Sequence, residues 1–322
     1  MVGRWERVRA HAETLRLYDL VVVALVGGLG ATLAAPVPQV RDVVLAMVSG
    51  LSGCAGALYA ADYLTRADDV VDKPYRPIPS GRLTASAAKW AAALLTSGTL
   101  VLDAVVAWHS LVFVVLAGVS YAAYGAGLKG RGLWGDAASG FAGWTCPLLA
   151  GACFSSAWPQ LALLLPALAL GLQGTFSNVL LAIHDVDQDR RAGSRTLPVR
   201  RGVRTSVRVL GALAATSYLA AVSTPLVLGR PAPPVFWVLL LGAAVTAGVV
   251  VAGARTATGK SVARHLCERV LLPGALWTSA EPLAGGALVV AALSVVVSAP
   301  RPMLRPGTAG ERSRVGRDGA GA

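Results

Sequence analysis

Charged side chains are scarce in this sequence. Asp, Glu, Lys and Arg make up only 14% of its 322 residues, whereas 55% are hydrophobic. So few charges cannot cover the surface of a water-soluble chain of this length. A disordered chain is excluded as well, because disorder requires low hydrophobicity. Long apolar runs along most of the chain predict instead an all-α protein embedded in the lipid bilayer.

Cysteines and acidic residues are also few. The four cysteines form no C-x-x-C pair, which argues against a zinc site or a disulfide framework. The 17 Asp and Glu residues are outnumbered by 29 Lys and Arg. A basic surplus can indicate nucleic-acid binding, but between long apolar runs it is typical of cytoplasmic loops. We therefore expect no nucleic-acid partner.

A bilayer-spanning helix needs about 20 mostly apolar residues, and about nine segments of roughly this kind occur. They are Leu15–Ala35, Val43–Tyr63, Ala87–Trp108, Leu111–Tyr124, Ala137–Phe154, Leu161–Ile183, Val207–Leu228, Phe236–Ala254 and Val270–Val297. The last is long enough to contain a break at Glu281-Pro282. If the N-terminus lies inside, the only basic residues in the outer loops between these spans are Arg41 and Arg230. This asymmetry predicts a multi-pass protein of the cytoplasmic membrane.

The domain organisation follows from these segments. Residues 1–14 form a basic cytoplasmic N-terminus, 15–299 a transmembrane domain, and 300–322 a disordered tail rich in Pro, Gly, Arg and Ser. An odd number of spans would place the basic tail outside, which the positive-inside rule disfavours. Either the segment near Glu281 contains a helical hairpin rather than one span, or the basic residues of the C-terminal tail have little influence on the topology.

Acidic residues concentrate after the second and sixth spans, on the same inside face. These two clusters contain seven of the 17 acids: Asp62, Asp68, Asp69, Asp72, Asp185, Asp187 and Asp189. On a helix, Asp62 and Asp69 share one face, as do Asp185 and Asp189. Like charges stacked in this way are destabilising unless a cation lies between them, and carboxylates favour a hard cation such as Mg²⁺.

A basic segment with the pattern R-x-[IL]-P follows each acidic cluster, beginning at Arg76 and at Arg195. Mg²⁺ bound by one or two carboxylates takes further ligands from phosphate oxygens, and Arg can neutralise the remaining phosphate charge. The combination predicts a site for an organic diphosphate at the end of the helix bundle, with its apolar part between the helices. The alternative is that these charges form solvated salt bridges in loops, with Pro77 to Gly81 serving as a turn.

These segments resemble the motifs of the UbiA superfamily of intramembrane prenyltransferases over roughly residues 15–300. The family's first motif, N-D-x-x-D-x-x-x-D, corresponds to Ala61 through Asp69, and its K-P-x-R-P-[IL]-P-S-G segment corresponds to Lys73 through Gly81. The second motif corresponds to Asp185 through Asp189, followed by R-x-A-G and R-T-L-P. A Tyr shortly before a Lys, a third family element, corresponds to Tyr124 and Lys129. Two positions depart from the family pattern: Ala61 replaces Asn, and Thr65 replaces the middle Asp.

The resemblance implies a bundle of about nine helices with a central cavity that opens to the cytoplasmic face. It implies that Mg²⁺, held by Asp62, Asp69, Asp185 and Asp189, binds an isoprenyl diphosphate. Arg76, Lys129 and Arg195 would bind and stabilise the departing diphosphate, and Tyr124 would orient the substrate. The isoprenyl group would pass to an aromatic or other small lipophilic acceptor.

Two other functions are compatible with the same residues. A terpene cyclase of this superfamily would use the metal site without an acceptor. A non-catalytic lipid-binding homologue would keep the fold with a damaged metal site, as Ala61 and Thr65 suggest. Retention of Asp185, Asp189 and the Arg76 segment argues against a non-catalytic protein.

Overall fold

The computed structural model describes residues 4–298, without the side chains of Arg4, Asp68, Val71 and Asp72. Within that range the chain is helical and contains no β-strand. The first part comprises α1 (Arg4–Leu15), α2 (Leu17–Ala34), α3 (Val40–Leu64), α4 (Arg66–Asp72), α5 (Ala85–Val106), α6 (Ser110–Gly125), a 3₁₀ turn (Leu128–Arg131), α7 (Leu133–Gly140), a π turn (Phe141–Thr145) and α8 (Cys146–Ala152). The remainder comprises a 3₁₀ turn (Leu161–Leu163), α9 (Leu164–His184), α10 (Val186–Arg191), α11 (Leu197–Arg201), α12 (Val203–Val227), α13 (Pro234–Gly253), α14 (Thr258–Thr278) and α15 (Pro282–Ser298).

Many of these helices have the length and composition of membrane spans. Within the described residues, six are long and apolar enough to cross a bilayer, and α6 and α15 are shorter apolar helices. The chain is therefore a multi-pass integral membrane protein, as its composition predicts. The count of nine spans and a cavity open to the cytoplasmic face stay predictions. The domain bounds also stay a prediction, and the tail 300–322 lies outside the described residues.

The fifth predicted span, Ala137–Phe154, is an interrupted helix. α7 and α8 are joined by the π turn, and Pro147 stands in the first turn of α8. Proline has no backbone N–H, so it cannot donate to the helical ladder at this point, and a wider turn accommodates the missing hydrogen bond.

The ninth predicted span, Val270–Val297, is two helices rather than one, and they are separated at the Glu281-Pro282 break that the sequence indicates. α14 ends at Thr278, and α15 begins at Pro282, where proline suits the first helical position because its missing N–H needs no partner. The two helices pack against each other at their shared turn. A Cβ at Gly285 would lie 2.9 Å from the Thr278 nitrogen, so glycine permits this close approach.

Helix α2 lies at the centre of the bundle. Its apolar side chains belong to the largest buried cluster, together with residues of α8, α9, α14 and α15. A Cβ at Gly30 would lie 2.0 Å from the Leu148 carbonyl oxygen, and one at Gly151 would lie 1.9 Å from that of Gly27. Small residues thus bring the backbones of α2 and α8 together, as is typical of membrane helix pairs.

Candidate active site

The two acid-rich motifs share one backbone arrangement. At the end of α3, Thr65 leaves the helix with φ −88° and ψ 5°; at the end of α9, Asp185 does so with φ −96° and ψ 10°. The amide of Asp69 donates to the Thr65 carbonyl at 2.9 Å, and that of Asp189 donates to the Asp185 carbonyl at 2.8 Å. Asp69 and Asp189 therefore occupy equivalent positions, and Thr65 stands where the second motif has Asp185.

One arginine joins the two carboxylates of the first motif. Arg76 Nη1 lies 2.6 Å from Asp69 Oδ2 and 3.6 Å from Asp62 Oδ1. Asp62 also accepts a hydrogen bond from Arg16 Nη2 at 3.0 Å, and the Thr65 hydroxyl donates to Asp69 Oδ2 at 3.0 Å. Both carboxylates are buried. The predicted common face of Asp62 and Asp69 is thus a pair of carboxylates with a cationic nitrogen between them.

The two carboxylates of the second motif differ in exposure. Asp189 is buried and accepts a hydrogen bond from the Thr196 hydroxyl at 3.0 Å. Asp185 is partly exposed and lies 2.7 Å from His184 Nδ1. The side-chain oxygens of Asp185 are therefore more accessible to a ligand than those of Asp189.

Arg195 does not take the position in the second motif that Arg76 takes in the first. It is exposed, and no hydrogen bond or ion pair to it is found among the described residues. In the second motif the hydrogen-bond donor to Asp189 is Thr196, seven residues later in the chain. In the first motif the donor to Asp69 is Arg76, also seven residues later. Aligning the two R-x-[IL]-P patterns pairs Arg76 with Arg195, whereas the hydrogen bonds pair Arg76 with Thr196, one residue further on.

Lys73 connects the two motifs. Its ammonium group interacts electrostatically with Asp69 of the first motif and Asp185 of the second, and also with Arg76 and Lys129. Burial, followed by the charge of Arg76, lowers its pKa from the ordinary lysine value. The two motifs, more than a hundred residues apart in sequence, therefore border one region that is rich in cationic side chains.

The predicted Tyr124 and Lys129 approach the same region from the end of α6. The Tyr124 hydroxyl interacts electrostatically with Asp136 and Asp189, and the exposed Lys129 interacts with Lys73. Their roles stay predictions, as do those of the other predicted site residues.

Helix α1 and the basic segment of the first motif are tied together by Arg82. It donates from Nη2 to Glu13 Oε2 at 2.8 Å and to the Tyr75 carbonyl at 2.7 Å. This contact fixes the loop that carries Arg76 beside the end of α3.

Three residues of this region are additional to the sequence prediction: Arg16, Lys73 and Thr196. Lys73 and Thr196 lie inside the quoted motifs K-P-x-R-P and R-T-L-P, so the pattern contained a signal for both. Arg16 precedes the first span and contacts a carboxylate 46 residues away, which no local pattern indicates.

The donor set suits a cation that completes its coordination with ligand oxygens. Within residues 4–298, where the side chains of Asp68 and Asp72 are not described, no three His, Cys, Asp or Glu side chains converge. Asp62 and Asp69 instead form a pair, and Arg76 Nη1 already places positive charge between them. One or two carboxylates supplemented by phosphate oxygens is the arrangement that Mg²⁺ prefers in substrate sites. The residues present therefore fit Mg²⁺ bound together with a phosphate.

Comparison with known proteins identifies related sequences. A model described as the UbiA prenyltransferase family matches residues 20–279. The digeranylgeranylglyceryl phosphate synthase of Ignicoccus hospitalis is 32% identical over 225 residues, which cover 67% of this chain and 73% of the relative. The enzyme of the same name from Thermococcus gammatolerans is 26% identical over 213 residues, covering 63% of this chain and 72% of the relative.

Solved structures share the fold. A UbiA homolog from Archaeoglobus fulgidus bound to GPP and Mg²⁺ superposes with a TM-score of 0.66 and 15% identity, covering 89% of this chain and 100% of that one. The apo structure of a UbiA homolog from Aeropyrum pernix gives a TM-score of 0.68 at 16% identity, covering 80% of this chain and 96% of that one. The overall arrangement of the helices is therefore one already seen in solved structures of UbiA homologs.

Proposed function

Because the chain belongs to the UbiA prenyltransferase family, we propose that it moves an isoprenyl group from an isoprenyl diphosphate to a small lipophilic acceptor. The reaction takes place where the two acid-rich motifs meet. The observation that carries this proposal is the shared cationic region: Arg76 lies between Asp62 and Asp69, and Lys73 lies in electrostatic reach of both motifs.

Asp62, Asp69, Asp185 and Asp189 are the residues that would hold Mg²⁺. When bound, Mg²⁺ supplies charge neutralisation to the diphosphate leaving group. Arg16 and Arg76 contribute positive charge to the first carboxylate pair.

The cationic side chains bind and stabilise the diphosphate. As the bond between the first prenyl carbon and the diphosphate oxygen breaks, negative charge grows on the diphosphate. Fixed donors around it lower the barrier because they need no reorganisation as the charge develops. Arg76, Lys73 and Lys129 fill this role, and the exposed Arg195 adds a further positive charge. Tyr124 orients the substrate beside Asp189.

The apolar bundle protects the reacting prenyl group from water. An electron-poor allylic carbon reacts with water if water is present, so exclusion of solvent favours transfer to the acceptor. Because arginine and lysine predominate in the loops that carry the motifs, we place the site on the cytoplasmic side of the cytoplasmic membrane.

Geranylgeranyl diphosphate is the first donor to test, and a glyceryl phosphate bearing one geranylgeranyl group is the first acceptor. The relatives are named for a product with two geranylgeranyl groups on glyceryl phosphate. The homolog from Archaeoglobus fulgidus is described with the shorter diphosphate GPP. Geranyl and farnesyl diphosphates therefore belong in the same panel.

The test is a membrane assay with radiolabelled geranyl, farnesyl and geranylgeranyl diphosphates, with Mg²⁺ or EDTA, and with or without the acceptor. The proposal predicts Mg²⁺-dependent diphosphate release coupled to a prenylated product. Release without acceptor, with a hydrocarbon or alcohol as product, would indicate a terpene cyclase instead. Absence of both release and diphosphate binding would indicate a non-catalytic homologue.

A further inference from the structure

A second pair of charged side chains lies inside the helix bundle, apart from the acid-rich motifs. Arg269 Nη1 of α14 lies 2.7 Å from Asp19 Oδ1 of α2. Asp19 belongs to one of the helices that are long and apolar enough to cross the membrane. Ionisable groups within such helices are costly, so they mark functional sites more often than ordinary packing does.

The pair lies near the first carboxylate pair, because Arg16 interacts electrostatically with both Asp62 and Asp19. Arg16, the residue before α2, contacts Asp62 at 3.0 Å, and the amide of Asp19 donates to the Arg16 carbonyl. Because α2 runs from this end into the bundle, Asp19 lies about one helical turn, roughly 5 Å, deeper. Asp19 is therefore among the polar side chains near a prenyl diphosphate held at Asp62 and Asp69.

Side chains from other helices converge on the pair. Cys54 of α3 and Tyr121 of α6 both interact electrostatically with Asp19 and Arg269. The Arg269 guanidinium lies 5.3 Å from the centroid of the Trp144 ring, close enough for a cation–π contact. The pair is therefore surrounded by α2, α3, α6 and α14 together with the π turn.

The side chains of the pair are partly exposed. The Asp19 side chain is 21% exposed and that of Arg269 is 13% exposed, although both lie among membrane helices. Tyr121 is 42% exposed. Its hydroxyl lies beside Gly143, where a Cβ added to the glycine would be only 2.6 Å away, so the absence of a side chain at Gly143 leaves room for it. The Tyr18 hydroxyl and Arg269 Nε are buried without a hydrogen-bond partner among the described residues. The partly exposed Asp19 carboxylate is the group of this cluster that a ligand entering the bundle can reach.

Arg269 is held in this orientation by its neighbour. The carboxylate of Glu268 is fully buried and contacts Gln173 of α9, Tyr218 of α12 and His265 of α14. These contacts fix the rotation of α14 about its axis, so that Arg269, the next residue, is directed towards α2. The Asp19 carboxylate therefore meets a positioned guanidinium.

We propose that Asp19 accepts the proton of a hydroxyl group on the acceptor, with Arg269 holding the Asp19 carboxylate in place, so that the acceptor is a lipophilic alcohol. The inference rests on the proposed function. Arg269 contacts Oδ1 of Asp19, and no described residue donates to Oδ2, which can receive the hydroxyl hydrogen.

The proposed reaction is an alkyl transfer to the acceptor oxygen. The bond between the first prenyl carbon and the diphosphate oxygen breaks, and its electron pair leaves with the diphosphate. A lone pair of the acceptor oxygen forms the new carbon–oxygen bond, and the hydroxyl proton passes to Asp19. The Arg269 guanidinium contacts Asp19 Oδ1 at 2.7 Å, so the carboxylate is held in place while Oδ2 takes the proton.

The test compares Asp19→Asn and Asp19→Glu with the unmodified chain in lipid nanodiscs. The donor is geranylgeranyl diphosphate with Mg²⁺, and the acceptors are geranylgeranylglyceryl phosphate and its methyl ether, which lacks the free hydroxyl. We expect transfer to the alcohol only. Asp19→Asn should lower kcat by about 100-fold, the lower range for loss of a general base. Asp19→Glu should restore part of the rate, and the Kd of the donor should not change in either variant.

Asp103→Asn is the matched control, because it removes another buried carboxylate of the bundle, one that accepts a hydrogen bond from Ser49 instead. It is expected to lower the melting temperature without a change in kcat. A kcat for Asp19→Asn equal to that of the control, or transfer to the methyl ether as fast as to the alcohol, would overturn the inference while leaving the proposed function intact. No transfer by the unmodified chain to any acceptor, aromatic ones included, would overturn the proposed function and the inference with it.

Discussion

Thr65 is the residue at which the two acid-rich motifs differ most. It occupies the backbone position of Asp185, and its hydroxyl donates to Asp69 Oδ2 at 3.0 Å. The Thr65 hydroxyl carries no negative charge. Arg16 and Arg76 therefore face two carboxylates, those of Asp62 and Asp69, rather than three. The first motif therefore offers fewer anionic ligands to a metal than the family pattern does.

Thr65→Asp is expected to strengthen metal binding at the first motif. Divalent-cation affinity rises with the number of charged ligands, so the Mg²⁺ concentration for half-maximal diphosphate release should fall by about threefold or more. The measurement is a Mg²⁺ titration of the release rate, with Thr65→Asn as the uncharged control. An unchanged or higher half-saturating concentration would show that position 65 does not face the metal.

Close backbone contact between α2 and α8 determines the shape of the bundle at the element scale. Gly151→Ala places a methyl group 1.9 Å from the Gly27 carbonyl oxygen. Since the opposing atom is backbone, the helices must move apart, at a cost of roughly 1–3 kcal/mol. We predict a lower melting temperature, measured by thermal unfolding in detergent.

Gly98→Ala is the matched control for this prediction. Gly98 lies in α5, and an added Cβ would meet nothing within 4 Å. In a helix interior, alanine is favoured over glycine by roughly 0.5–1 kcal/mol, so the melting temperature of this variant should stay the same or rise. Equal destabilisation by both substitutions would mean that the α2–α8 contact is not specific.

The sequence predicts helices and local motifs better than it predicts contacts between distant helices. Asp62, Asp69 and Arg76 could be assigned to one site because they lie within one turn-linked segment. The Asp19–Arg269 pair joins residues 250 positions apart, and no periodicity indicates it. The break between α14 and α15, in contrast, is marked locally by Glu281-Pro282 within an otherwise apolar run, so the sequence could indicate it.

At the scale of the whole molecule, this break changes the predicted topology. With the N-terminus inside and every long helix crossing the membrane, one span from residue 270 to 297 leaves the chain outside after Ser298. We predict that α14, which is long but carries several charged residues, and the shorter apolar α15 both cross, which returns the chain to the inside. The basic residues Arg301, Arg305, Arg312, Arg314 and Arg317 then follow the positive-inside rule.

We predict that a reporter fused after Ala322 lies on the cytoplasmic side. The measurement is a pair of C-terminal fusions, one to a protein that is fluorescent only in the cytoplasm and one to a phosphatase active only outside. Fusions after Ser279, in the turn before α15, should give the opposite pattern. Phosphatase activity after Ala322 would show that α15 does not cross the membrane.

The most direct test of the whole account is the binding of geranylgeranyl diphosphate, with Mg²⁺, to the protein in lipid nanodiscs by calorimetry. If the two motifs form one site, a single equivalent binds. Asp69→Asn and Asp189→Asn should then each weaken binding by at least about tenfold, the scale of one lost charge-assisted contact. Asp187→Asn, on the same short helix as Asp189 but 82% exposed, should have no effect. Two independent equivalents, or undiminished binding in either motif variant, would contradict a shared site.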